Sequence, residues 1–166
     1  MSFARAARKF PYGQRGLTVL ELIVAVAIVV LIATSVFTAV HASLLAQRAL
    51  TLNRRAVLVA EEGVAVARYD RDADWATFAA RPLVTDLYPT FSGGSATLST
   101  TDPGAVDGVF ARTVVLSSVY RDGNGNIDPL GPTLDEDARG VSVTVSWTDQ
   151  VSGAQSIVFD LYLMKP

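Results

Sequence analysis

The hydrophobic pattern along this chain changes character three times, and each change predicts a different element. From Leu17 to Val40 the chain reads LTVLELIVAVAIVVLIATSVFTAV, 24 residues with one charge, Glu21, and neither Pro nor Gly. A bilayer core of about 30 Å takes about 20 apolar residues as a helix, so this run is long enough to span one. Its stretch Leu22–Ala33 is apolar on every face, which predicts surroundings of lipid or of other such helices rather than water.

Past Val40 a stripe replaces the continuous run. Leu45, Leu52, Val59 and Val66 recur every seven residues, and Ala49, Ala56 and Gly63 follow the first three by four. That spacing lines one face of an α-helix. Arg48, Arg54, Arg55, Glu61, Glu62 and Arg68 fall off it. The pattern predicts one helix from Leu17 to Arg68, ended by the charges Asp70, Arg71, Asp72 and Asp74. The small residues on its stripe allow close approach of a sheet or of a neighbouring helix, and packing on the chain's own globular part is preferred over a free coiled coil.

The third pattern is period two. Val141, Val143, Val145 and Trp147 alternate with Ser142, Thr144 and Ser146, and Ile157, Phe159, Leu161 and Leu163 alternate over 156–164. Both segments predict strands with one face buried, joined as a hairpin across Gln150–Ala154. Arg112–Tyr120, rich in β-branched residues, predicts a third strand, and Ala96–Thr100 a short fourth. The Pro- and Gly-rich stretch 82–108 otherwise reads as loop. Trp147 and Phe159 are expected in the core.

Composition narrows the function. Hydrophobic residues make up 50% and charged ones 18% of the 166, which excludes a disordered chain. Cysteine is absent and His41 is the single histidine, so disulfides, zinc–thiolate sites and histidine-pair catalysis are excluded within one chain. No enzyme constellation is visible. Arg54-Arg55 is too small a patch to argue nucleic-acid binding. Residues 1–16 carry Arg5, Arg8, Lys9 and Arg15 and no acid; the other 150 carry 10 bases and 16 acids. A basic start ahead of an apolar run is a targeting arrangement with a cytoplasmic N-terminus. One processing reading is a secretory signal peptide cut after Val40-His41-Ala42, before Ser43. Its apolar stretch exceeds the usual ~7–15 residues and carries a carboxylate.

The loop 121–140 places Asp122, Asn124, Asn126 and Asp128 at alternate positions, followed by Asp135, Glu136 and Asp137. Oxygen side chains in that pattern suit Ca²⁺, a cation of about 6–8 oxygen ligands, although Ile127 and Thr133 break the EF-hand pattern. Gly, Asn and Asp are equally the residues of an ordinary solvated turn.

The junction ahead of the apolar run reads Gln14-Arg15-Gly16-Leu17-Thr18-Val19-Leu20-Glu21. A basic leader ends in Gly, and Glu stands five residues after it inside a spanning segment. This resembles the prepilin signal of type IV pilins and type II secretion pseudopilins, whose common form is Gly-Phe-Thr-Leu-Ile-Glu. The resemblance implies cleavage between Gly16 and Leu17 by an inner-membrane prepilin peptidase, N-methylation of Leu17, and a role for Glu21 in assembly with the terminal amine of a neighbouring subunit. An ionisable residue at membrane depth is expected to have a partner. Leu17 stands where the family has Phe, no Pro lies between Pro11 and Pro82, and there are no cysteines, which points to a minor pilin or pseudopilin. Some pseudopilins bind Ca²⁺ in the region matching 121–140.

The expected fold is therefore α+β and pilin-like: a long N-terminal helix whose second half packs on a three- or four-stranded antiparallel sheet. The expected parts are a leader at 1–16, a transmembrane or fibre-core helix at 17–40, an amphipathic half-helix at 41–70 and a β-sheet head at 71–166. The implied partners are other pilin or pseudopilin subunits, the prepilin peptidase and methyltransferase, an inner-membrane assembly platform and membrane lipid, with no nucleic acid. The implied location is the bacterial inner membrane, single-pass with the C-terminal part outside the cytoplasm, and then a filament. The rival expectation is a signal-anchored or secreted binding domain that never polymerises.

Overall fold

A computed structural model describes residues 18–150 and 152–166. The chain divides into two units, Met1–Leu44 and Leu45–Pro166. Helix α1 spans Val19–Ala73 and so supplies all the described regular structure of the first unit and the first element of the second. A single-turn helix α2, Trp75–Ala79, follows. Asp74 caps it: its carboxylate accepts from the Ala76 N–H at 3.0 Å and from the Thr77 hydroxyl. That side-chain bond from Thr77 is the main reason the Asp74 carboxyl lies below the usual carboxylate range.

Five antiparallel strands make the sheet: β1 Asp86–Ser92, β2 Ser95–Ser99, β3 Ala111–Arg121, β4 Thr133–Asp149 and β5 Gly153–Met164. Their order is β2-β1-β3-β4-β5. The arrangement is α+β, but with one strand more than the three or four expected. The added strand, β1, lies in the stretch read as loop, where Pro89 discourages a strand assignment. Pro89 is tolerated because β1 pairs with β3 only at Asp86↔Val115 and Leu87↔Val114. Beyond Leu87 the strand pairs with β2 alone, Pro89 standing opposite Leu98. Strand β4 also starts at Thr133, so Asp135, Glu136 and Asp137 belong to a strand and not to the loop. It stays paired with β3 through a register shift between Ser118 and Val119, ending at Arg121↔Thr133.

The core lies between the second part of α1 and one face of the sheet. Val114 and Leu116 of β3 point into it, and so do Val141, Val143, Val145 and Trp147 of β4, these four as their alternation predicts. Phe110 packs edge-on to Trp147, ring centroids 6.0 Å apart. On β5, Ile157, Phe159 and Leu161 pack against this core but remain half-buried. The helical stripe also falls where its spacing puts it: Ala56, Val59, Gly63 and Val66 are buried, while Leu45, Ala49 and Leu52 are half-buried. The helix continues five residues past Arg68, to Ala73.

Two polar groups fix helix to sheet. Arg112 is buried among these apolar side chains and donates through Nη1 to the Val59 carbonyl at 3.1 Å and to Glu62 at 2.8 Å. Asp70, buried near the end of α1, receives Arg81 through two bonds of 2.6 and 2.9 Å and the Thr97 hydroxyl at 3.0 Å. Arg81 also donates to the Leu98 carbonyl, so one ion pair joins α1, the segment after α2, and β2.

The helix comes close to the sheet at Gly63. A Cβ there would lie 2.8 Å from Val143 Cγ1 and 3.2 Å from Arg112 Cδ. We expect Gly63→Leu to destabilise the 45–166 unit by about 1–3 kcal/mol through overpacking. Ala65→Leu, on an exposed position of the same helix, should change stability by no more than about 0.5 kcal/mol. Thermal unfolding of the two variants beside wild type is the check; equal Tm values for both would remove the close-packing account.

Candidate functional site

The first unit owes its properties to the start of α1. Thr18 precedes the helix, and its hydroxyl accepts from the Glu21 N–H at 3.3 Å while its carbonyl accepts from Leu22 N at 3.1 Å. That is an N-cap geometry, and Thr-Val-Leu-Glu has the Thr-x-x-Glu spacing of a capping box. The spacing is legible in the sequence and identifies a local role for Thr18 that the motif match alone does not. It also places Glu21 in the first turn, where the positive end of the helix dipole favours a carboxylate. Glu21 is exposed, as is every other residue from Thr18 to Leu44.

That exposed surface is apolar all round. Leu20, Ile23, Leu31, Ile32 and Phe37 are each more than half exposed, and they point in different directions around the axis. By length and composition the helix can cross a membrane, and none of its most apolar window is buried within the chain. The polar side chains in its later turns are satisfied by the helix itself. Thr34 donates to the Val30 and Leu31 carbonyls, each at 3.0 Å, Ser35 to Leu31 at 2.8 Å, and Thr38 to Ser35 at 2.9 Å. Hydroxyls bonded back to the preceding turn leave no unpaired donor to face hydrocarbon. Glu21 is therefore the one group in the run whose side chain brings a charge. Gly16 and Leu17, the two residues of the expected cleavage junction, lie outside the described residues.

The alternating oxygen residues of the second unit occupy the β3–β4 loop, where their side chains hold the loop itself. Asp122 Oδ1 accepts from the backbone N–H groups of Asn124 and Asn126 at 2.9 and 2.8 Å, and Oδ2 from the Asn126 side-chain amide at 3.1 Å. Asp128 Oδ1 accepts from Leu130 N at 3.0 Å. Arg121 clamps the loop by donating to the Gly125 carbonyl at 2.7 Å and to Asp135 at 2.6 Å. Among the described residues no three His, Cys, Asp or Glu side chains converge as a metal cage would require. Sequence spacing gives no sign of the Arg121–Asp135 pair, because β4 has to be extended through Thr133–Gly140 before the two face each other.

No family model, curated protein or solved structure matches this chain.

The Asp122 carboxyl lies below its usual value, first because of the Asn126 side-chain bond and then because of the Asn126 backbone N–H. A depressed folded-state value means the loop's bonds are complete above the ordinary carboxylate pKa and are lost as pH falls through the lower folded one. We expect the Asn124 and Asn126 amide resonances to shift on acidification with a midpoint below 3.8, the unperturbed value. In Asp122→Ala those shifts should vanish. A midpoint at or above the unperturbed value would contradict the loop-cap role.

Proposed function

We propose that this chain is a structural subunit of a bacterial filament, a minor pilin or pseudopilin of a type IV pilus or type II secretion-like assembly, and not an enzyme. The observation that carries this reading is the capped helix start: a lone carboxylate, Glu21, one turn into a helix that is apolar on every face, directly after Gly16-Leu17. Cleavage at that junction makes Leu17 a free ammonium one helical turn from a carboxylate of the same or a neighbouring subunit. In hydrocarbon or in a bundle of such helices, each charge is costly alone and compatible with its surroundings when paired. Methylation of Leu17 keeps its charge. The basic leader supports a cytoplasmic N-terminus and a head outside the cytoplasm. The prepilin peptidase, the assembly platform and other subunits are then the partners, and lipid is the solvent of the helix before assembly.

The processing step is tested by mass spectrometry of the chain recovered from membranes. The mature protein should begin at Leu17, and Gly16→Leu should block the cut. A mature N-terminus at Ser43 would overturn the proposal in favour of a secreted domain.

The assembly step is tested separately. Glu21→Ala should leave cleavage after Gly16 and the fold of the 45–166 unit intact. Its incorporation into sheared filaments should nevertheless fall strongly, because loss of one partner from a buried pair costs about 3–5 kcal/mol. Incorporation equal to wild type would show that Glu21 is not the docking carboxylate.

A further inference from the structure

We infer that Asn124 is a site of spontaneous backbone modification, closing on the nitrogen of Gly125 with loss of ammonia, and that the Asp122 side chain sets how fast it does so. The chain has three asparagines, Asn53, Asn124 and Asn126, and they are followed by Arg54, Gly125 and Ile127. In this reaction, one source of the thermal lability of asparagine, a backbone N–H gives up its proton and its nitrogen attacks the carbonyl carbon of the preceding side-chain amide. The amide C–N bond breaks, the NH2 group takes up a proton and leaves as ammonia, and a cyclic imide remains. Water then adds across either C–N bond of the imide. One opening gives aspartate; the other gives isoaspartate, in which the chain runs through the former side chain. A side chain on the following residue crowds the attack, and glycine has none. Asn126 is shielded by the β-branched Ile127. Asn53 lies within α1, where the backbone N–H groups are held by the helix.

The fold favours glycine at this position and leaves its surroundings open. Gly125 has φ +86°, a conformation that L side chains rarely adopt, and a Cβ there would meet nothing within 4 Å. Asn124 and Gly125 are both exposed, so water reaches the imide. What holds the reaction back is the turn itself. The Gly125 N–H donates to the Asp122 carbonyl at 3.1 Å and has to leave it before its nitrogen can turn to the Asn124 side chain. The N–H groups of Asn124 and Asn126 are tied to Asp122 Oδ1, and the Asn126 side-chain amide to Oδ2. The reaction therefore runs through local opening of residues 122–126, whose frequency the Asp122 side chain controls. The product alters the loop. Isoaspartate adds a backbone carbon just ahead of Gly125, whose carbonyl accepts from Arg121 at 2.7 Å. Either product also adds a carboxylate two residues from Asp122. Arg121 keeps its second partner, Asp135, at 2.6 Å, so the change opens the tip of the β3–β4 loop and leaves its base closed.

The full-length chain, solubilised from membranes, is aged in warm, mildly alkaline buffer and then cut after its arginines. The peptide 122–139 carries both Asn124 and Asn126, and its fragmentation in a mass spectrometer assigns the converted residue. Conversion should fall on Asn124, and the product should accept a methyl group from protein isoaspartate methyltransferase. A synthetic peptide of residues 121–128, which lacks the folded turn, should convert faster than the intact chain. Asp122→Ala should raise the rate at Asn124 about tenfold, the effect of losing roughly 1.4 kcal/mol of hydrogen bonding in the turn. Asn124→Gln should abolish the conversion, because the longer amide closes a larger ring. Conversion at Asn126 or Asn53 ahead of Asn124, or none at Asn124 over an interval in which the peptide converts completely, would overturn the site. Equal rates in wild type and Asp122→Ala would overturn the control by Asp122. The inference does not use the filament reading, which stands or falls separately.

Discussion

The apolar surface that the helix carries on every side between Leu22 and Ala33 is costly to leave in water, and this cost is the constraint on which the proposed account depends. Burial at about 25 cal/mol per Å² favours lipid or a bundle of similar helices as surroundings for such a surface. Within those surroundings each polar atom has to be satisfied locally. The run meets that demand with hydroxyls bonded back along the helix at Thr34, Ser35 and Thr38. Glu21 is the exception, and an exception that carries a charge calls for a partner.

The second unit solves a different problem with the same helix. Beyond Leu45 the helix has one buried face and one exposed face. Small residues on the buried face let it come close to β3 and β4, and at Gly63 an added Cβ would meet Val143 and Arg112. The cations at this contact meet partners across it, although Nε of Arg112 is buried without one. Arg112 meets a helix carbonyl and Glu62, and Arg81 engages Asp70 through two parallel bonds. Removing either partner would leave a charge in a poorly solvated place, which makes these pairs specific locks more than sources of stability.

What the amino-acid pattern revealed depended on how local the cause was. The apolar run, the seven-residue stripe and the alternation of Val141–Trp147 each follow from one element and one environment, and each lies where its period predicts. Strand β1 escaped because Pro89 argues against a strand unless the partner on one side is known to stop at Leu87. The Asp70–Arg81–Thr97 cluster escaped for a related reason: its members lie on three elements, and no spacing rule joins them. At Asp122 the alternation with Asn124 and Asn126 gives no sign that its oxygens accept bonds from Asn124 and Asn126 within the turn. At the helix start, Thr18 and Glu21 stand out in the sequence as a family-like junction, and the Thr18 hydroxyl accepting from the Glu21 N–H adds an N-cap that the junction alone does not give.

Alkaline extraction of membranes from cells producing the full-length chain without other filament components tests the central claim most directly. Peripheral proteins leave the membrane under those conditions, while a helix buried in hydrocarbon does not. The account predicts that the chain stays in the membrane pellet, and that exchanging Val26 and Val30 for Asp, each in the middle of the apolar run, releases it with the 45–166 unit still folded. Extraction of the unaltered chain into the soluble fraction would contradict the claim that residues 19–40 live in lipid.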